Sequence, residues 1–237
     1  RGAETEKGVE ALAYDPSLTR GETGAPDDDE CQFEQARAKL RMYIELTDHL
    51  RCVAEHDESF VVLLPDEVVD RSVRRGTLGC PSCGAIYHIR DGVLEAGDAP
   101  PAEADEAVPG GDALAAFAGL GGPGGYMVLA GTAAGRWAEV AAAVPGVHLV
   151  LVNPPAGEAE ARGMSVLRAA RLPLRSGSMR AVVLGAPYGG EPAWVAEAAR
   201  VVLPGLRVVG HGEAPTVATL DPLADAEGWW VAQRARR

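Results

Sequence analysis

Two short cysteine motifs give this 237-residue chain its clearest potential for chemistry. Cys80 and Cys83 stand in the sequence Cys-Pro-Ser-Cys-Gly, where two thiolates can grip one tetrahedral ion and the glycine allows the tight turn behind them. Cys52 and His56 precede an apolar stretch and are the best candidates for the other two ligands of a closed site. We therefore predict one structural zinc ion bound by Cys52, His56, Cys80 and Cys83.

Three other interpretations of these residues remain open at the level of sequence. His88 or Cys31 can replace His56 in the ligand set. Alternatively, no metal binds, Cys52 is an ordinary buried side chain and His56 is solvated. A redox role for the Cys-x-x-Cys pair is less favoured, because the pair opens a hairpin rather than the helix that lowers a thiol pKa. We predict a cytoplasmic location, where reduced cysteines bind metal more often than they form disulfides.

The elements that must position these ligands are predicted within residues 31–96. Apolar residues recur at helical spacing over about residues 30–50, and β-branched residues indicate a strand over 59–65. The second cysteine pair then opens a hairpin that turns at Asp91-Gly92. Residues 1–30 are acidic and poor in apolar side chains, so we predict that they are disordered.

A second domain is predicted over residues 113–237, after an acidic, Pro- and Gly-rich linker at 97–112. Apolar strands alternate there with helical segments, which indicates a doubly wound, mainly parallel α/β sheet covered on both faces. The predicted strands cover 126–130, 147–152, 164–167, 181–184, 206–209 and 229–233, and the predicted helices cover 136–143, 156–162 and 192–203.

The segment from Cys80 to Val93 resembles the second knuckle of the small zinc-ribbon proteins that activate tRNA and protein methyltransferases. Their signature reads Cys-x-x-Cys-Gly-x-x-Tyr-Pro-Ile-x-Asp-Gly-Ile, and His88 here replaces the proline. The family's first knuckle, Cys-Pro-x-Cys, corresponds here to Cys52 and His56. The resemblance implies a small N-terminal zinc-ribbon α+β domain that docks on the chain's own second domain or on a protein partner.

The second half resembles the class I methyltransferases that use S-adenosylmethionine, with a Rossmann-like fold. The resemblance rests on Leu172 to Val183, which follows the family pattern Leu-Pro-Phe-x-Asp-Gly-Ser-Phe-Asp-x-Val, and on Glu197 to Val209, which follows Glu-x-x-Arg-Val-Leu-Lys-Pro-Gly-Gly-Arg. It implies the following cofactor-binding positions: Gly131, Ala133, Gly135 and Asn153.

Four positions that are acidic in that family carry neutral or basic residues here, namely Leu129, Asn153, Arg168 and Arg180. Losing one charge-assisted hydrogen bond to the ribose costs about 1.5–3 kcal/mol. We therefore predict an impaired S-adenosylmethionine pocket and assign no catalytic residue. The leading hypothesis is a binding or accessory pseudoenzyme, and the alternative is an active S-adenosylmethionine-dependent methyltransferase of unknown acceptor.

Tyr188 follows the fourth predicted strand of the second domain, where the family places substrate-facing residues. A surface turn is the favoured interpretation, and a pocket-lining role is the other.

Charge and hydropathy exclude two classes of ligand. The formal net charge of −12 arises from the acidic residues of 1–30 and 95–112, and the rest of the chain is balanced. Because no basic field is available to neutralise phosphates, direct nucleic-acid binding is not predicted. No apolar run is long enough for a membrane helix, so no membrane association is predicted either.

Overall fold

The computed structural model describes residues 42–99, 101–103, 107–156 and 164–236. The predicted disorder of residues 1–30 lies outside the described residues, as does nearly all of the short helix predicted at 156–162. In the described part, no helix combines the length and apolar character needed to cross a membrane.

Five parallel strands form the centre of the sheet. They are β6 (Tyr126–Ala130), β7 (His148–Val152), β8 (Met164–Ala169), β9 (Met179–Leu184) and β10 (Val202–His211). Their spatial order is β8-β7-β6-β9-β10, which is the 3-2-1-4-5 order of a doubly wound α/β sheet. A C-terminal hairpin continues the sheet beyond β10, through β12 and then β11, and β12 runs antiparallel to β10. The hairpin strands are β11 (Leu220–Ala226) and β12 (Trp229–Arg234).

Both faces of this central sheet are buried, as the apolar sequence of its strands predicts. In β6, Met127 and Leu129 join one core cluster, while Val128 and Ala130 join the other. The helices α1 (Gly111–Ala118) and α2 (Trp137–Ala143) cover the first face, and α3 (Pro192–Val201) covers the second. The doubly wound parallel arrangement is thus confirmed for this part of the chain.

The N-terminal half is antiparallel, and it contains more strand than the sequence predicted. Its strands are β1 (Met42–Tyr43), β2 (Val62–Val69), β3 (Ser72–Gly79), β4 (Ile86–Arg90) and β5 (Val93–Ala96). The hairpin at Asp91-Gly92 is confirmed, because β4 and β5 pair directly across it. The strand predicted at 59–65 begins and ends later than expected, and β3 was missed because its arginines and glycines do not follow a strand pattern.

The prediction of a single helix over residues 30–50 is wrong in its described part. Met42 and Tyr43 form β1, and Ile44–His49 form a 3-10 helix. The backbone of this segment finds partners outside a helix: Met42 pairs with Val73, and the amide of Ile44 donates to the carbonyl of Arg71 at 3.0 Å. Tertiary hydrogen bonds therefore override the helical periodicity.

One sheet runs through both halves of the chain. β5 pairs with β8 in parallel, with Val93 opposite Val166 and Leu94 opposite Leu167. The strands that carry the Cys80 knuckle are therefore hydrogen-bonded into the same sheet as the α/β part. The division into domains at residues 97–112 stays a prediction, and α1 begins inside that range, at Gly111.

A partly buried polar cluster connects β1 to the α/β part. The hydroxyl oxygen of Ser165 accepts the amide proton of Tyr43 at 3.1 Å and lies 3.0 Å from Nε2 of His148. The ring of His148 also packs edge-on against Tyr43 and Tyr126, with centroid distances of 4.6 and 5.3 Å. Burial lowers the pKa of His148 to about 4, and the nearby carboxylate of Glu45 opposes this shift only weakly.

Stability is expected to fall as the pH drops from about 6.5 towards 4. Over this interval the unfolded chain protonates at His148 and the folded chain does not, so protons favour unfolding by about 3 kcal/mol. Urea unfolding at a series of pH values measures the effect. His148→Phe keeps a ring against Tyr43 but cannot titrate, so its stability should depend less on pH by about one proton; an unchanged slope would contradict this assignment.

Candidate metal centre and cofactor positions

The structure brings the four predicted metal ligands together. The ligand atoms of Cys52, His56, Cys80 and Cys83 all lie within 4.8 Å of one another. Sγ of Cys52 is 3.7 Å from Sγ of Cys83, and Sγ of Cys80 is 3.5 Å from Nε2 of His56. Around a tetrahedral zinc ion, two sulfurs lie about 3.8 Å apart and a sulfur and an imidazole nitrogen about 3.6 Å apart. The cluster therefore fits a zinc ion.

Local backbone geometry places the second cysteine pair. The amide of Cys80 donates to the carbonyl of Ala85 at 2.8 Å, and the amide of Gly84 donates to the carbonyl of Cys80 at 2.9 Å. Gly84 has a φ of +72°, which a side chain at this position would resist. This turn is the predicted knuckle, and it leads directly into β4.

The other pair is held by the chain before β2. The amide of Cys52 donates to the carbonyl of Ser59 at 3.0 Å, which folds the intervening loop back on itself. Nδ1 of His56 lies 2.6 Å from the carbonyl oxygen of Asp57. A carbonyl can only accept, so Nδ1 carries the proton and Nε2 presents its lone pair to the cluster.

Hydrogen bonding favours the thiolate form of Cys80. Burial raises the pKa of this thiol, but the amides of Cys83 and Ser82 and the neighbouring cysteine thiols outweigh burial and hold the pKa at about 6. Cys52, Cys80 and Cys83 are free of disulfides. A thiolate at neutral pH is the form that binds a metal.

The alternative ligands do not join this cluster among the described residues. His88 lies on β4, exposed to solvent and in register with Thr77. Cys31 lies outside the described residues.

Tyr87 is a neighbour of the cluster to which sequence analysis gave no role. Its hydroxyl oxygen lies 3.0 Å from Sγ of Cys52 and accepts the amide proton of Val53 at 3.1 Å. The zinc-ribbon signature includes a tyrosine at this position, so a signal was present, but the contact depends on β4 facing the Cys52 segment.

Hydrogen bonds connect the Cys52–Ser59 loop to the α/β part. The guanidinium of Arg51 donates to Oε2 of Glu197 on α3 at 2.7 Å, and the amide of Arg51 donates to the carbonyl of Pro173 at 3.0 Å. At the other end of the loop, Glu58 accepts from the amide and hydroxyl of Ser176 at 3.1 and 2.6 Å. Arg200 bridges Glu58 and Glu197 at 3.1 and 2.9 Å.

These contacts also shift the ionisation of both carboxylates. Burial raises the pKa of Glu58 and of Glu197, but Ser176 and Arg200 outweigh burial at Glu58, and Arg200 and Arg51 outweigh it at Glu197, so both pKa values fall below normal.

The first of the cofactor positions lies in a 3-10 helix after β6, from Gly131 to Arg136. Gly131 has a φ of +63°, and a Cβ there would lie 2.2 Å from the carbonyl oxygen of Ala186. Thr132 holds the turn close to Ala186. The amide of Thr132 donates to the carbonyl oxygen of Ala186 at 3.0 Å, and its hydroxyl accepts the amide proton of Ala186 at 2.9 Å. Ala133 is fully buried in the core, while Gly135 is half-buried beside Pro155. The Gly131 turn therefore packs against the loop that follows β9.

Asn153, the next of these positions, is fully buried and has a φ of +49°. Its Nδ2 donates to the carbonyl of Ala169 at 2.8 Å and to the hydroxyl of Tyr188 at 2.9 Å. Its Oδ1 accepts the amide of Ala169 at 2.9 Å. Both polar atoms of this side chain thus have partners within the protein.

Tyr188 is buried, with 8 % of its surface exposed, so the surface-turn interpretation of this residue is wrong. Its ring stacks on Trp194 of α3, with centroids 3.9 Å apart. Burial raises the pKa of its hydroxyl, which stays neutral. The aromatic pair holds the phenol against Asn153.

Arg168 and Arg180 are the two basic residues at the positions that are acidic in the methyltransferase family. Arg180 donates to the carbonyls of Gly121 and Pro123 at 2.9 and 3.1 Å, which fixes the loop before β6. Arg168 stands in register opposite Glu95 of β5, across the junction between the two halves of the sheet.

Comparisons with known proteins give fold-level likeness only. No protein-family model matches the chain, and no curated protein matches it. Among solved structures, a geranyl diphosphate methyltransferase in complex with GPP and sinefungin is 23 % identical, with a TM-score of 0.37, and the match covers 42 % of each chain. The antibiotic-resistance methyltransferase Kmr is 18 % identical, with a TM-score of 0.38, over 57 % of this chain and 98 % of Kmr.

A third match is a complex between the Trm112 methyltransferase activator of Haloferax volcanii and a putative methyltransferase. It is 18 % identical, with a TM-score of 0.35, over 42 % of this chain and 50 % of the matched one. This chain therefore spans only 42 % of the geranyl diphosphate methyltransferase and 50 % of the matched chain in the Trm112 complex. At TM-scores below 0.5, such likeness does not by itself define a family.

Proposed function

We propose that this chain is a methyltransferase-like binding or accessory protein that carries a structural zinc ion and does not use S-adenosylmethionine. The proposal rests on the hydrogen bonds that the side chain of Asn153 makes within the protein. It occupies the position from which the resembling enzymes bind the ribose, yet all its hydrogen-bonding atoms engage Ala169 and Tyr188. Both N–H groups of Nδ2 are already used, so a ribose hydroxyl could accept a hydrogen bond from Asn153 only by displacing Ala169 or Tyr188, at about 1–3 kcal/mol for each group left unsatisfied.

The turn after β6 supports the same proposal. In a dinucleotide-type site the glycines let the backbone approach a ligand closely. Here Gly131 is approached by the carbonyl of Ala186, and Ala133 is buried. The space beside Gly131 that a ligand would need is therefore occupied by the protein's own backbone.

The zinc site is proposed as structural because it offers four protein ligands and no open position. Closed tetrahedral sites of cysteine and histidine stabilise folds, whereas catalytic sites keep one position for water or substrate. Cys52 and Cys80 are also buried, at 2 % and 3 % exposure. The predicted cytoplasmic location belongs to this proposal, because reduced thiols are needed to hold the ion.

The partner of the zinc-bearing half is proposed to be the chain's own α/β part. β5 and β8 already join the two halves in one sheet. Arg51, directly before the Cys52–Ser59 loop, adds a contact to Glu197, and Glu58 within the loop adds one to Ser176. An accessory protein of this kind would bind its own target through another surface.

Calorimetric titration of the zinc-loaded protein with S-adenosylmethionine and with S-adenosylhomocysteine tests the proposal. We expect no binding up to about 1 mM, which corresponds to less than about 4 kcal/mol of binding free energy. Binding of either nucleoside at low-micromolar concentration would reject the proposal and favour an active methyltransferase. Intact folding under the titration conditions is checked by circular dichroism.

A further inference from the structure

The hydroxyl of Tyr87 points its proton at a sulfur of the metal cluster. A phenol has one proton, and its oxygen already accepts the amide proton of Val53 at 3.1 Å. The contact of 3.0 Å with Sγ of Cys52 is therefore one in which Tyr87 donates and the sulfur accepts. The opposite direction would leave the phenol proton without an acceptor while a thiol proton competed with the amide of Val53.

We propose that Tyr87 is a positioning residue of the metal centre, which holds Cys52 in its ligand position and withdraws charge from its thiolate. The inference rests on the proposed zinc site. Cys52 needs such support because it lacks a Cys-x-x-Cys knuckle of its own, and its ligand partner His56 is separated from it by a three-residue loop. Hydrogen bonds to the side chains that bind a metal orient those side chains and tune the affinity for the metal.

The placement of Tyr87 makes this contact rigid. Tyr87 lies on β4, in register with Leu78 of β3, and Leu78 is fully buried. Val53, the residue that follows the ligand Cys52, is fixed to the same hydroxyl group. The phenol thereby ties the Cys52 segment to the strand that begins two residues after the Gly84 turn.

The test is the affinity and spectrum of the metal in Tyr87→Phe. Cobalt(II) replaces zinc as a visible probe, and zinc affinity is measured against a chromophoric chelator. We expect Tyr87→Phe to bind zinc about 10- to 100-fold more weakly. We also expect the sulfur-to-cobalt charge-transfer band to shift to lower energy, because the sulfur regains electron density. Tyr126→Phe removes a phenol whose ring packs on His49 and His148 rather than on a metal ligand, and it should change neither value.

A second variant covers the case in which Tyr87→Phe does not fold. Fluorotyrosine at position 87 keeps the hydroxyl and is a stronger donor, so the charge-transfer band should shift in the opposite direction. A wild-type protein that binds neither cobalt nor zinc would overturn the proposed zinc site itself. A wild type that binds both, with variants identical to it in affinity and spectrum, would overturn the role of Tyr87 alone.

Discussion

Cys80→Ser is expected to abolish stoichiometric zinc binding and to lower the free energy of unfolding by about 3 kcal/mol or more. Cys80 contributes a buried thiolate whose distance to Nε2 of His56 suits a shared ion. Without the ion, Cys52, His56 and Cys83 lose the ligand that they share, and only hydrogen bonds such as those of the Cys52 and Cys80 amides still hold their loops. Elemental analysis measures the zinc, which should fall from about one ion per chain, the stoichiometry of a four-ligand structural site.

The loss should extend beyond the cluster. Arg51 adjoins the ligand Cys52, and its amide is bonded to Pro173, while the amide of Ser176 is bonded to Glu58 at the other end of the loop. Hydrogen exchange at the amides of Arg51 and Ser176 should therefore accelerate in Cys80→Ser and in chelator-treated wild type. Amides in the centre of the sheet, such as that of Val128, should keep their protection.

Two variants separate the ligand set from its alternatives. Cys31→Ser and His88→Asn should both retain zinc and stability, because neither residue belongs to the proposed site. His56→Asn should lose zinc. If it retained zinc while Cys31→Ser or His88→Asn lost it, the fourth ligand would be Cys31 or His88 instead of His56. A fully folded, zinc-free wild type would contradict the structural role altogether.

The sequence was most informative where a strand is buried on both faces. β6 is a continuous apolar run and β7 is apolar after His148, and both were predicted to within one residue of their observed bounds. β11 was missed, since its sequence Leu-Asp-Pro-Leu-Ala-Asp-Ala is polar, contains proline and lies exposed at the sheet edge. Likewise, the helix predicted through Met42 failed because a distant strand supplies the backbone partners.

The metal centre and the Asn153 site also differ in how far the local sequence determines them. Cysteine spacing alone identified Cys80 and Cys83, since the knuckle is a local structure. The surroundings of Asn153 depend on partners 16 and 35 residues away and on a left-handed backbone conformation at Asn153. No local pattern encodes these, so the sequence could show that an acid was missing but not what the amide does instead.

Asn153→Asp restores the carboxylate of the resembling enzymes, and we expect it to destabilise the protein without creating cofactor binding. The new carboxylate would face the carbonyl oxygen of Ala169, to which Nδ2 of Asn153 now donates at 2.8 Å. It would also be fully buried, with only the amide of Ala169 and the hydroxyl of Tyr188 as donors. Burying a charge with an unpaired acceptor opposite it costs about 3 kcal/mol.

Gln233→Glu is the matched control for this change. Nε2 of Gln233 also donates to a backbone carbonyl, that of Gly205 at 2.7 Å, but Gln233 is only half-buried on β12. Water can solvate the new carboxylate there, so we expect a loss of about 1 kcal/mol or less. Urea unfolding at pH 7 measures both variants, and calorimetry with S-adenosylmethionine measures binding. An Asn153→Asp protein that kept its stability and bound the nucleoside would mean that Asn153 faces a working cofactor site, since only a ligand-facing position could accept the charge without cost.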